Sequence, residues 1–264
     1  MDDNAVEALA ERLAKARLDR KPVDFLGSVQ PPQNERDAYR VQFALHRRLT
    51  AGGRDAMAGW KVAAAVPAQY QPLGLGGPAL AGILKSALIR SPASFAKGYP
   101  LKAGVECEVA VRMAIDAPQS AGPYTSANIV PLIGAVMPAM EVVDNRYANL
   151  PDMKGPARIA DDFLQAACVL GKEVTDFRSI DFMMMQGRTT FEGKELGAGP
   201  GSNVMGSPLI SLAWLANKLI ELGTNLKAGD IVMTGSIHAP QFLPGPGAAV
   251  AGWDAIGQVE ARFG

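Results

Sequence analysis

Two glutamates one residue apart, Glu106 and Glu108, lie inside the apolar run GVECEVAV. In a β-strand successive side chains alternate, so both carboxylates project from one face while Val105, Cys107, Val109 and Val111 share the other. Their Cα atoms then stand roughly 7 Å apart. Like charges held that way repel, and on a central strand they must be solvated, protonated or neutralised by a cation. From this segment alone, a solvent-facing side of a strand serves as well. Glu141, a single carboxylate in the strongly apolar AMEVVD, offers a third oxygen ligand. Three carboxylates with no histidine or cysteine ligand suit Mg²⁺ or Mn²⁺, hard ions that keep positions open for water and substrate.

Lys61 is one of few charges in AGWKVAAAV. Burial lowers a lysine pKa, which favours proton transfer near neutral pH, unless the side chain snorkels to water. His46 lies beside Arg47 and Arg48 and is expected to be solvated. His238, in GSIHAPQFLPGPG, follows a strand end, where it faces either a pocket or open solvent. The chain carries no Gly-rich phosphate loop, GxSxG elbow, CxxC pair or HExxH. GAGPGSNVMG leads to no nucleotide fingerprint and reads as a flexible or tight-turning loop.

The elements that must position these residues follow from periodicity. Val6, Leu9, Ala10 and Leu13 recur at helical spacing up to Leu18. A second helix opens after Asn34, a good N-cap, and runs through Val41, Leu45 and Leu49 to Gly52-Gly53. Between them KPVDFLGSVQPPQ is a Pro-rich, ordered-looking connection. Ser207-Pro208 starts the clearest helix, which Gly223 stops. Val105–Met113, the end of Ile129–Val143, Ile231–Thr234 and IGQVEARF read as strands. The fold class is α+β in one domain of 264 residues, with a helical region over residues 1–55 and a β-rich body over 56–264.

Lys plus Arg and Asp plus Glu both number 26, so no basic field exists to hold nucleic acid or an anionic membrane. With 48% hydrophobic residues the chain can bury a proper core. Cys107 and Cys168 lie in apolar stretches and read as buried thiols, which fits a reducing cytoplasm. No run approaches the ~20 apolar residues of a membrane span, and the first residues lack a signal-type apolar stretch.

GWKVA, GVECEVAV, MPAMEVVDNRY, IADD, PLISLAWLANKL and GDIVMTGS occur in the order and spacing of the hydratase and decarboxylase branch of the fumarylacetoacetate hydrolase superfamily, which the chain resembles from about Ala58 onward. The resemblance implies a mixed, rolled β-sheet body flanked by helices, with Mg²⁺ or Mn²⁺ on Glu106, Glu108 and Glu141. It implies acid/base chemistry for Lys61. Thr234 and Ser236, in the TGS turn, become contacts to a substrate carboxylate, and Asp161 joins them on the substrate side. The implied substrate is a small 2-oxo- or 2-hydroxy-dienoate, and the implied assembly a homo-oligomer.

Some residues depart from the family pattern. Ala64, Ala65 and Val66 stand where LTS is common, and Ala79 to Ala81 replace an acidic residue before a Phe-Gly pair. Phe163 and Leu164 follow Asp161-Asp162 where an Asn and small residues are usual, which would crowd or reshape the pocket. Hydration of 2-hydroxypenta-2,4-dienoate is the first expectation. A 4-oxalocrotonate-type decarboxylase is the alternative, followed by acylpyruvate hydrolysis and by a catalytically silent homologue acting as a structural or partner subunit.

Overall fold

A computed structural model describes residues 1–22 and 30–264. The helical head comprises α1 (Asp3–Asp19) and α2 (Glu35–Thr50). The body follows as β1 (Met57–Ala63), α3 (Tyr70–Leu73), β2 (Ala79–Leu84), β3 (Leu88–Arg90), β4 (Ala93–Phe95), β5 (Ala103–Met113) and β6 (Ile133–Asp144). It continues through α4 (Gly155–Ala160), β7 (Gln165–Leu170), β8 (Gln186–Phe191), β9 (Lys194–Pro200) and α5 (Pro208–Glu221), then β10 (Ile231–Ser236), β11 (Gln241–Phe242), β12 (Gly247–Trp253) and β13 (Gly257–Phe263). The mixed α+β class, the leading helices and the rolled sheet match the expectation. Part of the Pro-rich connection falls on residues 23–29, outside the described residues.

Capping explains the helix starts. The Asn34 side chain accepts from the Asp37 N–H at 2.9 Å, and Ser207 accepts from the Leu209 N–H at 3.3 Å ahead of Pro208.

Among the described residues, one sheet has the order β2-β1-β10-β5-β6-β7-β3, with β11 also paired to β5. A second has the order β4-β13-β12-β8-β9. β5 is thus internal, and both its faces are covered. Val105, Cys107, Val109 and Val111 join Trp253 and Val259 of the second sheet in the main core. The other face turns into the curl of the first sheet, where Ala110 packs with Ile83, Met137, Cys168 and Met233. Glu106 and Glu108 continue along that inner face, so the solvent-facing alternative is excluded. Their burial follows from the apolar residues on both flanking strands.

Gly59 makes the close pairing of β1 possible. It lies opposite Ile231 of β10 with φ +153°, and a Cβ there would stand 1.8 Å from the Ile231 carbonyl oxygen. Gly59→Ala is therefore expected to cost about 2–4 kcal/mol, read as a lower urea midpoint with an unchanged slope. An unmoved midpoint would refute this packing.

Two expectations are corrected. His46 is buried, because α2 presses that face onto β2 and the Nε2 atom lies 2.8 Å from Asp162 Oδ1. GAGPGSNVMG is in part a strand, since Gly197 and Gly199 belong to β9. Gly197 is needed there for clearance: a Cβ would approach the His238 ring to 2.7 Å. Cys107 and Cys168 are free and buried, and burial pushes the Cys107 thiol up to about 12.

Candidate metal centre

Register brings the acids together. Glu106 lies opposite Glu141 across β5 and β6, and Glu108 opposite Ser236 across β5 and β10. Lys61 enters from β1, opposite Met233 of β10. One carboxylate oxygen from each of Glu106, Glu108 and Glu141 falls within 4.8 Å of the others. Oxygens about 2.1 Å from a common ion stand roughly 3–4 Å apart, so the cluster suits a hard divalent cation.

Secondary contacts aim each ligand. The Gly235 N–H donates to Glu108 Oε2 at 2.8 Å. The Ser236 hydroxyl stands beside Glu106 and acts to lower its pKa. The Lys61 ammonium donates to Glu141 Oε1 and, at 3.2 Å, to the Phe163 carbonyl. That carbonyl is presented by three consecutive left-handed residues, Asp162, Phe163 and Leu164, with φ of 48°, 49° and 66°. Non-glycine residues in this region carry strain that neighbouring structure must hold.

The electrostatics demand a counter-charge. At 4.8 Å and an effective dielectric of about 20, each pair of carboxylates repels by roughly 3 kcal/mol. Lys61 offsets only one of the three charges. Burial, then Glu141, pushes Glu106 up to about 8. Burial, then Glu141 and Glu106, holds Glu108 well above the ordinary carboxylate range. Without a cation the cluster therefore keeps protons. With one, two positive charges and Lys61 balance three carboxylates, so the donor set fits the implied ion in number, chemistry and charge.

Lys61 behaves opposite to expectation. Burial acts to lower its pKa, but Glu141, followed by Glu106 and Glu108, outweighs it, and the ammonium is held above its ordinary value. The isolated apolar stretch around Lys61 gave no sign of an acid 80 residues away.

A cavity of some 550 Å³, including its open mouth, is lined by Lys61, Glu106, Glu108, Glu141, Ser236 and His238. Ala64, Leu73, Val143, Phe163 and Leu164 contribute apolar wall. Five of the seven site residues named from sequence thus share one cavity. Thr234 and Asp161 do not line it. The Thr234 hydroxyl donates to the Val109 carbonyl at 2.9 Å, tying β10 to β5. Asp161 is buried between Arg17, Arg146 and Tyr147. Burial acts to raise its pKa, but Arg146 and Arg17 outweigh it and keep it ionised. Asp161 joins head to body through Arg17, and in this structure both residues make protein contacts outside the cavity lining.

His238 does line the cavity, but its ring is committed. The Ala239 carbonyl can only accept, so Nδ1 is the donor in that 2.9 Å bond. Nε2 then accepts the Thr189 hydroxyl at 2.8 Å. Burial lowers the pKa, so the ring is neutral with its lone pair occupied and is a poor general base.

Sequence reasoning placed Phe163 at the pocket but not its carbonyl as a partner of Lys61, and it missed Arg158. A backbone acceptor has no residue signature. Arg158 did carry one, as the only charge in GPARIA.

Residues 52–263 match the family model described as fumarylacetoacetate (FAA) hydrolase C-terminal. A 2-keto-4-pentenoate hydratase of Paraburkholderia phymatum is 30% identical over 262 residues, covering 99% of this chain and 98% of the relative. A 4-oxalocrotonate decarboxylase of Pseudomonas putida is 26% identical over 260 residues, covering 98% and 96%. The solved 4-oxalocrotonate decarboxylase from Pseudomonas putida G7, complexed with magnesium and adipate, superposes with a TM-score of 0.91 at 25% identity, covering 100% of this chain and 98% of that one.

Proposed function

The chain belongs to the fumarylacetoacetate hydrolase C-terminal family, and within it we propose a metal-dependent hydratase that adds water to a 2-hydroxypenta-2,4-dienoate-like substrate. The product is a 4-hydroxy-2-oxo acid. The observation that carries this reading is the convergence of three buried carboxylates and Lys61 at one mostly apolar cavity. Full-length similarity to a 2-keto-4-pentenoate hydratase supports it.

Glu106, Glu108 and Glu141 would hold Mg²⁺ or Mn²⁺. Such an ion, when bound, supplies stabilisation of negative charge growing on the substrate's 2-oxygen during tautomerisation. Lys61 starts as an ammonium, so its part is to deliver a proton from Nζ to the carbon chain and to recover one later in the cycle. The Phe163 carbonyl and Glu141 fix the direction of that N–H. The apolar wall receives the hydrocarbon part of the dienoate. Hydration of the resulting 2-oxo-enoate places hydroxyl on C4 and hydrogen on C3, consuming one water. Neutral, bonded His238 gives no support to acylpyruvate hydrolysis through a His-Glu pair. The two buried free thiols fit a reducing compartment.

A second reading, decarboxylation of a 4-oxalocrotonate-like acid, is favoured by the close superposition on the decarboxylase. The same electrostatics would stabilise the carbanion left as carbon dioxide departs.

Ultraviolet absorbance of freshly generated 2-hydroxypenta-2,4-dienoate tests the first reading. Loss of absorbance should require Mg²⁺ or Mn²⁺, stop in EDTA and yield 4-hydroxy-2-oxopentanoate. Lys61→Ala should lower kcat by about 10²–10⁴ while still binding Mg²⁺. Undiminished turnover in EDTA would overturn the metal's role, and undiminished turnover by the variant would overturn that of Lys61. Carbon dioxide released only from oxalocrotonate would favour the second reading.

A further inference from the structure

Arg158 is the charged residue of the cavity wall for which neither the acid cluster nor Lys61 accounts. It lies in the last turn of α4. Its Nε donates to the Met153 carbonyl at 3.0 Å and its Nη2 to the Leu150 carbonyl at 2.9 Å. Both acceptors are uncharged. Among the described residues, no carboxylate stands within ion-pair reach of this guanidinium, and Nη1 has no partner.

Burial pulls the Arg158 pKa down, and no anion offsets it. An arginine nevertheless stays charged across the physiological range. A half-buried cation braced by two carbonyls and lacking a counter-charge is costly, and an incoming anion relieves that cost. The acid cluster on the same cavity wall gives the contrast. There a divalent ion and Lys61 would balance three carboxylates, which leaves Arg158 as the uncompensated charge on the wall.

We propose that Arg158 is a specificity-determining residue that binds a second anionic group, the distal carboxylate of the substrate, so that the cavity selects dicarboxylic over monocarboxylic 2-oxo-enoates. This rests on the metal-dependent 2-oxo-enoate chemistry proposed above for the same cavity and, within it, favours the 4-oxalocrotonate-like acid, which has two carboxylates, over 2-hydroxypenta-2,4-dienoate, which has one. It concerns which substrate is held, and applies whether water is added or carbon dioxide lost. Nη1 and the remaining Nη2 hydrogen are the donors left for the carboxylate, while Nε stays on Met153. Ala64, Leu73, Val143 and Leu164 line the same cavity and suit the hydrocarbon part of such a substrate.

Titration calorimetry on the Mg²⁺-loaded protein separates the charge from the chain. Adipate and hexanoate have the same carbon count and differ by one carboxylate. Adipate should bind the wild type about tenfold or more tightly than hexanoate. Arg158→Leu and Arg158→Gln should bring adipate down to hexanoate's affinity and leave hexanoate within about twofold. Arg158→Gln keeps a donor for the Leu150 or Met153 carbonyl, so it removes the charge with less risk to the fold.

Equal binding of the two acids by the wild type would overturn the proposal. So would unchanged adipate affinity in Arg158→Gln, or a parallel loss of both ligands. If the adipate preference depends on Arg158 but neither dienoate nor oxalocrotonate is turned over, the anion site stands and the proposed reaction falls. If turnover occurs and the two acids bind alike, the reverse holds.

Discussion

Without metal, Glu106→Gln is expected to melt above the wild type; with saturating Mg²⁺ the order should invert. The reason lies in the charge balance of the cluster. Metal-free, Glu106, Glu108 and Glu141 crowd three buried acids against one ammonium. The folded chain holds Glu106 protonated up to about 8 whereas the unfolded chain releases that proton near 4.5, so a neutral isostere removes a cost of up to about 1.4 kcal/mol per pH unit between these limits. For a chain of this size each kcal/mol moves Tm by about 2–4 °C. With metal, the wild type gains about 2.7 kcal/mol at a hundredfold excess over Kd, and a variant lacking one ligand forfeits most of it.

The pH dependence has a definite sign. Glu106 is raised from 4.5 to about 8 in the folded chain, so the native state binds the extra proton. Its contribution is present below the unfolded value and is lost as pH rises through the folded one. Metal-free wild type should therefore lose up to about 1.4 kcal/mol per pH unit between these limits, and Glu106→Gln should flatten that slope. Thermal melts from pH 5 to 9, with and without EDTA, read both effects. A variant that melts lower in EDTA at every pH would refute the crowding of charge.

The second large effect is expected at Asp162, far from the metal ligands in sequence but coupled to them in space. Its carboxylate lies 2.8 Å from His46 Nε2, accepts from Arg17 Nη1 at 2.8 Å and from the Gly82 N–H at 2.9 Å. These groups belong to α2, α1 and β2, so one side chain joins the helical head to the sheet. Burial acts to raise its pKa, but His46 and Arg17 outweigh it and hold the carboxyl well below the ordinary range. Its stabilisation is thus present above the unfolded value near 3.8 and lost as pH falls toward the folded one.

Asp162→Ala leaves Arg17 and the Gly82 N–H short of an acceptor, a loss of about 3–5 kcal/mol. Asp162→Asn keeps an acceptor and should lose less. Asp162 also opens the left-handed run whose Phe163 carbonyl receives the Lys61 ammonium. Even where Asp162→Asn folds, kcat should therefore fall more than Mg²⁺ affinity. Urea titration with turnover measured in parallel checks this. Unchanged kcat in a folded Asp162→Asn would separate the head from the site.

Local periodicity and the ordered motifs made much of the fold and the acid cluster legible in the sequence. Alternation put Glu106 and Glu108 on one face before any partner strand was known, and the Asn34 and Ser207 caps announced their helices. The ordered motifs carried Glu141, Lys61 and Ser236 to the same place. Illegible features depend on partners distant in the chain. The His46 neighbours Arg47 and Arg48 suggest water, whereas its true partner is 116 residues away. The sign of the Lys61 shift depends on Glu141, which an apolar flanking sequence conceals. Asp161 and Thr234 occupy motif positions that imply substrate, and their contacts to Arg17 and Val109, 144 and 125 residues away, could not be read from those motifs.

The most direct test of the metal centre is Mn²⁺ binding followed by electron paramagnetic resonance on wild type, Glu106→Gln, Glu108→Gln and Glu141→Gln. The geometry predicts one tightly bound Mn²⁺ per wild-type chain, displaced by excess Mg²⁺, and its loss or severe weakening in every variant. Equal Mn²⁺ occupancy in wild type and all three variants would place the ion elsewhere and contradict the central claim.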